Sequence, residues 1–143
     1  MKNSQNSKEN PLTALHRLEF ILQHQSEQLL RSGVGVGLGQ VRIMEEIGST
    51  TCSQRELATR LYQTEANVSR QLQVMKRHGL VSVIRNKKDA RQRDVSLTAK
   101  GSGKHRQAQK ILKKQHDELA LILDFAESAA LKGVVHKLAK TIG

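Results

Sequence analysis

Apolar side chains recur at three- and four-residue intervals from Leu12 onward: Leu12, Leu15, Leu18, Leu22 and Leu29, with Phe20 and Ile21 beside them. That period marks one face of an amphipathic helix of about five turns. It stops at Gly33-Val34-Gly35-Val36-Gly37-Leu38-Gly39. Neither Gly-x-Gly-x-x-Gly nor Gly-Lys-Ser/Thr occurs there, so the stretch reads as a flexible connector rather than a phosphate loop. Leu38, Val41, Met44 and Ile47 then outline a short second helix closed by Gly48. Residues 1–11 are polar and aperiodic, which predicts a disordered tail ending at Pro11.

Ser53-Gln54-Arg55-Glu56 has the form of a capping box, in which serine hydroxyl and glutamate carboxylate each satisfy the other's backbone NH. It opens a short helix with Leu57, Ala58 and Leu61 inward. Thr64 can cap the next helix, which keeps Val68, Leu72 and Met75 on one side and stops at Gly79-Leu80. Two short helices joined by a tight turn make a helix-turn-helix. The opposite face of the second one carries Asn67, Arg70, Gln71 and Lys76, with Ser69 near its edge. Side chains of these types donate to bases or phosphates.

The period then changes. Val81-Ser82-Val83 and Val95-Ser96-Leu97 alternate apolar with polar, as half-buried strands do. Between them lies Arg85-Asn86-Lys87-Lys88-Asp89-Ala90-Arg91-Gln92-Arg93, the tip of a cationic hairpin, or wing. Thr98 can cap a further helix, with Gly101 and Gly103 weakening its first turns and Ile111, Leu112, Leu119, Ile122 and Leu123 as its stripe. A last helix shows Leu131, Val134, Val135, Leu138 and Ile142 at the same spacing.

Charge sharpens this picture. The 143 residues include 24 Lys+Arg against 13 Asp+Glu, a formal net charge of +11. Residues 1–63 hold seven basic and six acidic side chains, residues 64–114 fourteen and three, and residues 115–143 three and four. The helix-turn-helix and wing therefore sit in the segment that carries the whole excess. A solvated basic face would explain scattered lysines, but like charges confined to one segment repel one another, and a polyanion relieves that repulsion. The chain has no Trp, two Phe and one Tyr, and none lies in the basic segment. Readers of single strands stack bases on aromatic rings, so duplex DNA is the better match.

Other classes fit less well. One cysteine, Cys52, rules out an internal disulfide and any zinc site built on paired cysteines. The six histidines include no His-x-x-x-His pair. No nucleophile stands beside a base, and no carboxylates pair as in a catalytic cleft, so no enzyme, cofactor or metal is expected. No apolar run reaches the roughly 18 residues of a membrane span, and the N-terminus lacks a signal-peptide stretch, which predicts a cytoplasmic protein of one domain. An architectural protein that coats duplex DNA without choosing sequence, and a protein-interaction module, stay open as alternatives.

Ser53-Gln54-Arg55-Glu56-Leu57-Ala58, Val68-Ser69-Arg70-Gln71-Leu72 and His78-Gly79-Leu80-Val81 resemble the MarR family of winged helix-turn-helix transcription regulators. The wing resembles it more sharply. Asp89-Ala90-Arg91, followed by a strand and Leu97-Thr98-Ala99-Lys100-Gly101, is similar to that family's Asp-x-Arg wing and Leu-Thr-x-x-Gly. The match covers residues 53–101. The resemblance implies a mainly α fold with a small β-hairpin wing, in which residues 12–143 form one domain. Residues 12–32 and 104–143 would be dimerisation helices around a winged helix-turn-helix at 38–100. It further implies a homodimer on a pseudo-palindromic operator, commonly a repressor. On that reading Thr64, Asn67, Ser69, Arg70, Gln71 and Lys76 face the major groove. Arg91, held by Asp89, enters the minor groove, and Lys87, Lys88 and Arg93 meet phosphates. Many members answer to a small molecule. Few aromatic side chains are present here to wall such a pocket, and the sequence names no effector. Some members sense oxidants through an N-terminal-helix cysteine, whereas Cys52 lies just before the capping box.

Overall fold

The computed structural model describes residues 8–143, so residues 1–7 of the tail expected over 1–11 lie outside the described residues. The elements run α1 (Pro11–Gly33), α2 (Leu38–Ile47), β1 (Cys52–Ser53), α3 (Gln54–Arg60), α4 (Glu65–Arg77), β2 (Val81–Arg85), β3 (Arg93–Leu97), α5 (Ala99–Ala120) and α6 (Phe125–Ile142). Helix α1 starts before Leu12, because the Asn10 side chain accepts from Leu12 N and Pro11 fills the first turn. Asn10 and Pro11 thus belong to a cap, not to a tail.

The glycine-rich stretch is the first correction. Val34 and Val36 are buried and help fill the core, so this is a tight, packed turn rather than a flexible connector. The Lys104 ammonium donates to Val34 O at 2.8 Å. Glu27 reaches from α1 to accept from Leu38 N at 2.5 Å, which serves the open N-terminus of α2. That hydrogen bond, more than the neighbouring Arg31, holds the Glu27 carboxyl below its ordinary pKa.

Around this turn α2, α3, α4 and the sheet close a core in which Val41, Ile43, Met44, Leu57, Val68, Met75 and Val95 are fully buried. Strand order is β1-β3-β2, all antiparallel. Val81 stands opposite Leu97 and Val83 opposite Val95, so both expected strands pair in register and extend outward to Arg85 and Arg93. Strand β1 was not foreseen. Its two residues are too short to show a period, and the register Cys52 opposite Val95 places Cys52 in the core. Burial there raises the thiol pKa, the opposite of what a reactive cysteine needs.

The terminal helices differ. Helices α1 and α5 pack together and share a buried Ser26 Oγ to Gln115 Oε1 hydrogen bond of 2.8 Å. Helix α5 ends at Ala120, so Ile122 and Leu123, expected on its stripe, fall in the turn before α6. A second capping box, Asp124 with Glu127, opens α6. No residue of α6 is buried; Leu131, Val134, Val135 and Ile142 are exposed, as are Phe20, Leu121 and Phe125. No helix among the described residues is long and apolar enough to cross a membrane.

Candidate nucleic-acid interface

The second helix of the helix-turn-helix, α4, is built from its caps. Ser53 Oγ accepts from Glu56 N at 3.1 Å and Ser53 N donates to Glu56 Oε2 at 3.3 Å, closing the expected box on α3. Thr64 caps α4 by accepting from Asn67 N, and α4 ends at His78. The turn between them bends at Tyr62, which has φ 54° and an almost fully exposed ring. A left-handed non-glycine residue costs about 1 kcal/mol or more, here accepted so that Gln63 N can return to Ala58 O at 2.9 Å.

Burial of Val68, Leu72 and Met75 fixes which way α4 faces. At 100° per residue, the ridge directly opposite is Ala66, Arg70, Gln73 and Arg77, and all four are exposed. Of the residues expected to read DNA, only Arg70 lies on this crest. Ser69 and Lys76 lie on the flank toward the wing, in a cleft shared with Gln54, Gln73 and Arg93. Asn67 and Gln71 lie on the other flank, where both amides donate to Gln63 Oε1, at 3.0 and 2.8 Å. Gln71 also abuts Gly39 at the start of α2. Gln73 and Arg77 were missed, although the wheel centred on the apolar trio points to them.

The wing is pinned by Asn86 and Asp89. Asn86 Oδ1 accepts from Lys88 N and Asp89 N at 2.8 and 3.0 Å, and Asn86 Nδ2 donates to Asp94 Oδ2 at 2.8 Å. Asp89 Oδ1 accepts from Arg91 N at 3.0 Å, so it orders the backbone of the arginine and makes no ion pair with its guanidinium. Lys87, Lys88, Asp89, Arg91 and Arg93 are all exposed.

Helix and wing form one continuous surface. Arg93 lines the cleft with Ser69 and Lys76, and it lines a second cleft with Asp89, Arg91, Arg55 and Glu65. Among the described residues, five ion pairs occur, and none involves Arg70, Lys76, Arg77, Lys87, Lys88, Arg91 or Arg93. Seven cations without an ion pair on α4 and the wing make a strongly positive field, and its natural complement is a polyanion. No group of three metal-ligating side chains occurs among the described residues.

Comparison with known proteins agrees with this geometry. Residues 34–92 match the model of the MarR family. The chain is 30% identical over 130 residues to the HTH-type transcriptional regulator BilQ of Clostridium symbiosum (strain WAL-14163), covering 90% of this chain and 88% of that protein. It is similar to the M. tuberculosis transcriptional regulator MOSR, solved in complex with DNA, with a TM-score of 0.69, 25% identity and 93% and 98% of the two chains covered. It also shares the fold of the S. aureus MepR–DNA complex, with a TM-score of 0.81, 17% identity and 94% and 100% covered. The caps, the wing, the open basic face and these relatives converge: the chain belongs to the MarR family of winged helix-turn-helix, DNA-binding transcription regulators, which are not enzymes.

Proposed function

We propose that the chain is a sequence-specific repressor that binds a pseudo-palindromic operator in double-stranded DNA as a homodimer. The observation that carries this reading is the position of Arg93 between two clefts, which joins α4 and the wing tip into one basic face where only Arg55 is ion-paired, with Glu65. Helix α4 enters the major groove with Arg70 at its crest, flanked by Thr64, Asn67, Ser69, Gln71 and Lys76. A bidentate arginine–guanine contact discriminates by roughly 1–3 kcal/mol. Arg91 enters the adjacent minor groove, where the potential is most negative, from a tip whose backbone Asp89 holds in shape. Lys87, Lys88 and Arg93 meet phosphates and set the register.

Residues 12–32 and 104–143 would be the dimerisation helices and 38–100 the winged module within a single domain over 12–143. The exposed apolar faces of α1, α5 and α6 support this reading, since one module offers them no cover. MOSR and MepR, both solved with DNA, are the relatives that favour a duplex partner.

Selection of bound duplexes from a random pool tests the proposal. The expected product is one palindromic motif, with less transcript from a promoter that overlaps it. Recovery of unrelated sequences would instead favour a protein that coats DNA without choosing sites.

A further inference from the structure

The C-terminal end of the recognition helix is gripped by the first turn of α5. Lys100 Nζ donates to His78 O at 2.8 Å, Thr98 Oγ1 to Gly79 O at 2.5 Å and Thr98 N to Leu80 O at 3.1 Å. Three successive carbonyls at the end of α4 are thus all received by one turn of another helix. The ammonium also stands at the negative end of the α4 dipole. Two glycines make the approach possible. Gly79 turns the chain with φ +72°, and the Lys100 stem lies over it, 3.8 Å from where a Cβ would be. At Gly101 a Cβ would stand 2.0 Å from Leu80 O, so only a bare backbone fits. The other end of α4 is held locally, by Thr64 and through Gln63.

We propose that Lys100, Thr98 and Gly101 are positioning residues that fix the separation at which two recognition helices are presented to DNA. The proposal rests on the dimeric, operator-binding reading above. Helix α5 runs 22 residues, about 33 Å, from this grip toward the exposed apolar end of the molecule. The angle between α4 and α5 therefore sets where α4 sits relative to a second copy. Helix α4 is about 20 Å long, so a rotation of roughly 5° at the grip moves its N-terminal end by about 2 Å. One base pair is about 3.4 Å, so a loosened grip blurs spacing by more than half a step. Lys100 is not on the Arg70 crest, and its contact is with protein backbone.

The test uses the full chain and measures affinity for four duplexes. They are the selected palindrome, the same palindrome with its spacer one base pair shorter or longer, and a single half-site. Lys100→Met should bind the half-site within twofold of the parent protein and lose tenfold or more on the palindrome. The penalty for a misplaced spacer should shrink at least threefold, and Lys100→Arg should restore it. Lys100→Gln serves the same comparison if thermal melting shows the Met variant unfolded. Equal losses on half-site and palindrome, or an unchanged spacer penalty, would overturn the proposal and leave Lys100 as a phosphate contact or a plain staple. A parent protein that treats every spacer alike would remove the dimeric reading, and this inference with it.

Discussion

The winged module and the terminal helices handle charge and apolar surface in opposite ways. On α4 and the wing the apolar side is closed in and the cations are open: Val68, Leu72, Met75 and Val95 are buried while Arg70, Arg77 and Lys88 take no ion pair. In α1 and the C-terminal half of α5, cations pair with carboxylates one turn away: Arg31 with Glu27, Lys113 with Asp117 and Lys114 with Glu118. There, and in α6, it is the apolar side chains that are open, Phe20, Leu119 and Val134 among them. The balance therefore tips in opposite directions in the two regions. The module needs counter-charge, and the helices need apolar cover.

Four outcomes would break or sharpen this contrast. Val135→Asp places a charge on the open face of α6 and should convert the proposed dimer to monomer in sedimentation, with at least a hundredfold loss of affinity for the selected palindrome. A monomeric parent protein would break the comparison outright. Arg70→Ala should cost roughly 1–3 kcal/mol on the matched duplex and far less on a scrambled one. Equal losses in the two titrations would remove its reading role. Glu27 lies where the two regions meet. Its carboxyl is held below the ordinary pKa in the folded chain, so its stabilisation is full above the unfolded pKa and is lost as pH falls through the folded one. Denaturant melts should therefore show the parent protein more stable than Glu27→Gln by about 1 kcal/mol at neutral pH, the two converging in acid. Lys88→Ala should weaken matched and scrambled duplexes alike and lower the slope of log affinity against log salt by about 1.

Local chemistry makes much of this architecture readable in the sequence. Ser53 with Glu56, Thr64, Gly79 and Thr98 each carry a cap or stop in their own few residues, and each stands where the sequence predicts. Alternation at Val81–Val83 and Val95–Leu97 likewise fixed both strands, because a half-buried hairpin imposes a period of two. What escaped depends on partners distant in sequence. Strand β1 exists because Val95 and Asp94 pair with it, and Val34 and Val36 are buried because helices close over them. The Asp124–Glu127 box is legible in principle, but the apolar run Leu121–Leu123 before it mimics a continuing helix. At the interface, residue types pointed to Arg70 and to the wing. Gln73 and Arg77 are legible as well, because a wheel centred on Val68, Leu72 and Met75 puts both on the outward side. The resemblance has Asp89 hold Arg91, and the contact present is between the Asp89 carboxylate and the arginine's backbone NH.

The hydrogen bonds that Asn86 and Asp89 make inside the wing tip have a calorimetric consequence. A finger that already holds its bound shape gives up little chain entropy on arrival, so its docking should add almost nothing to the heat-capacity change of association. Asn86→Gly would let the tip fluctuate, and the complex would then form with a larger entropic penalty over the same contact surface.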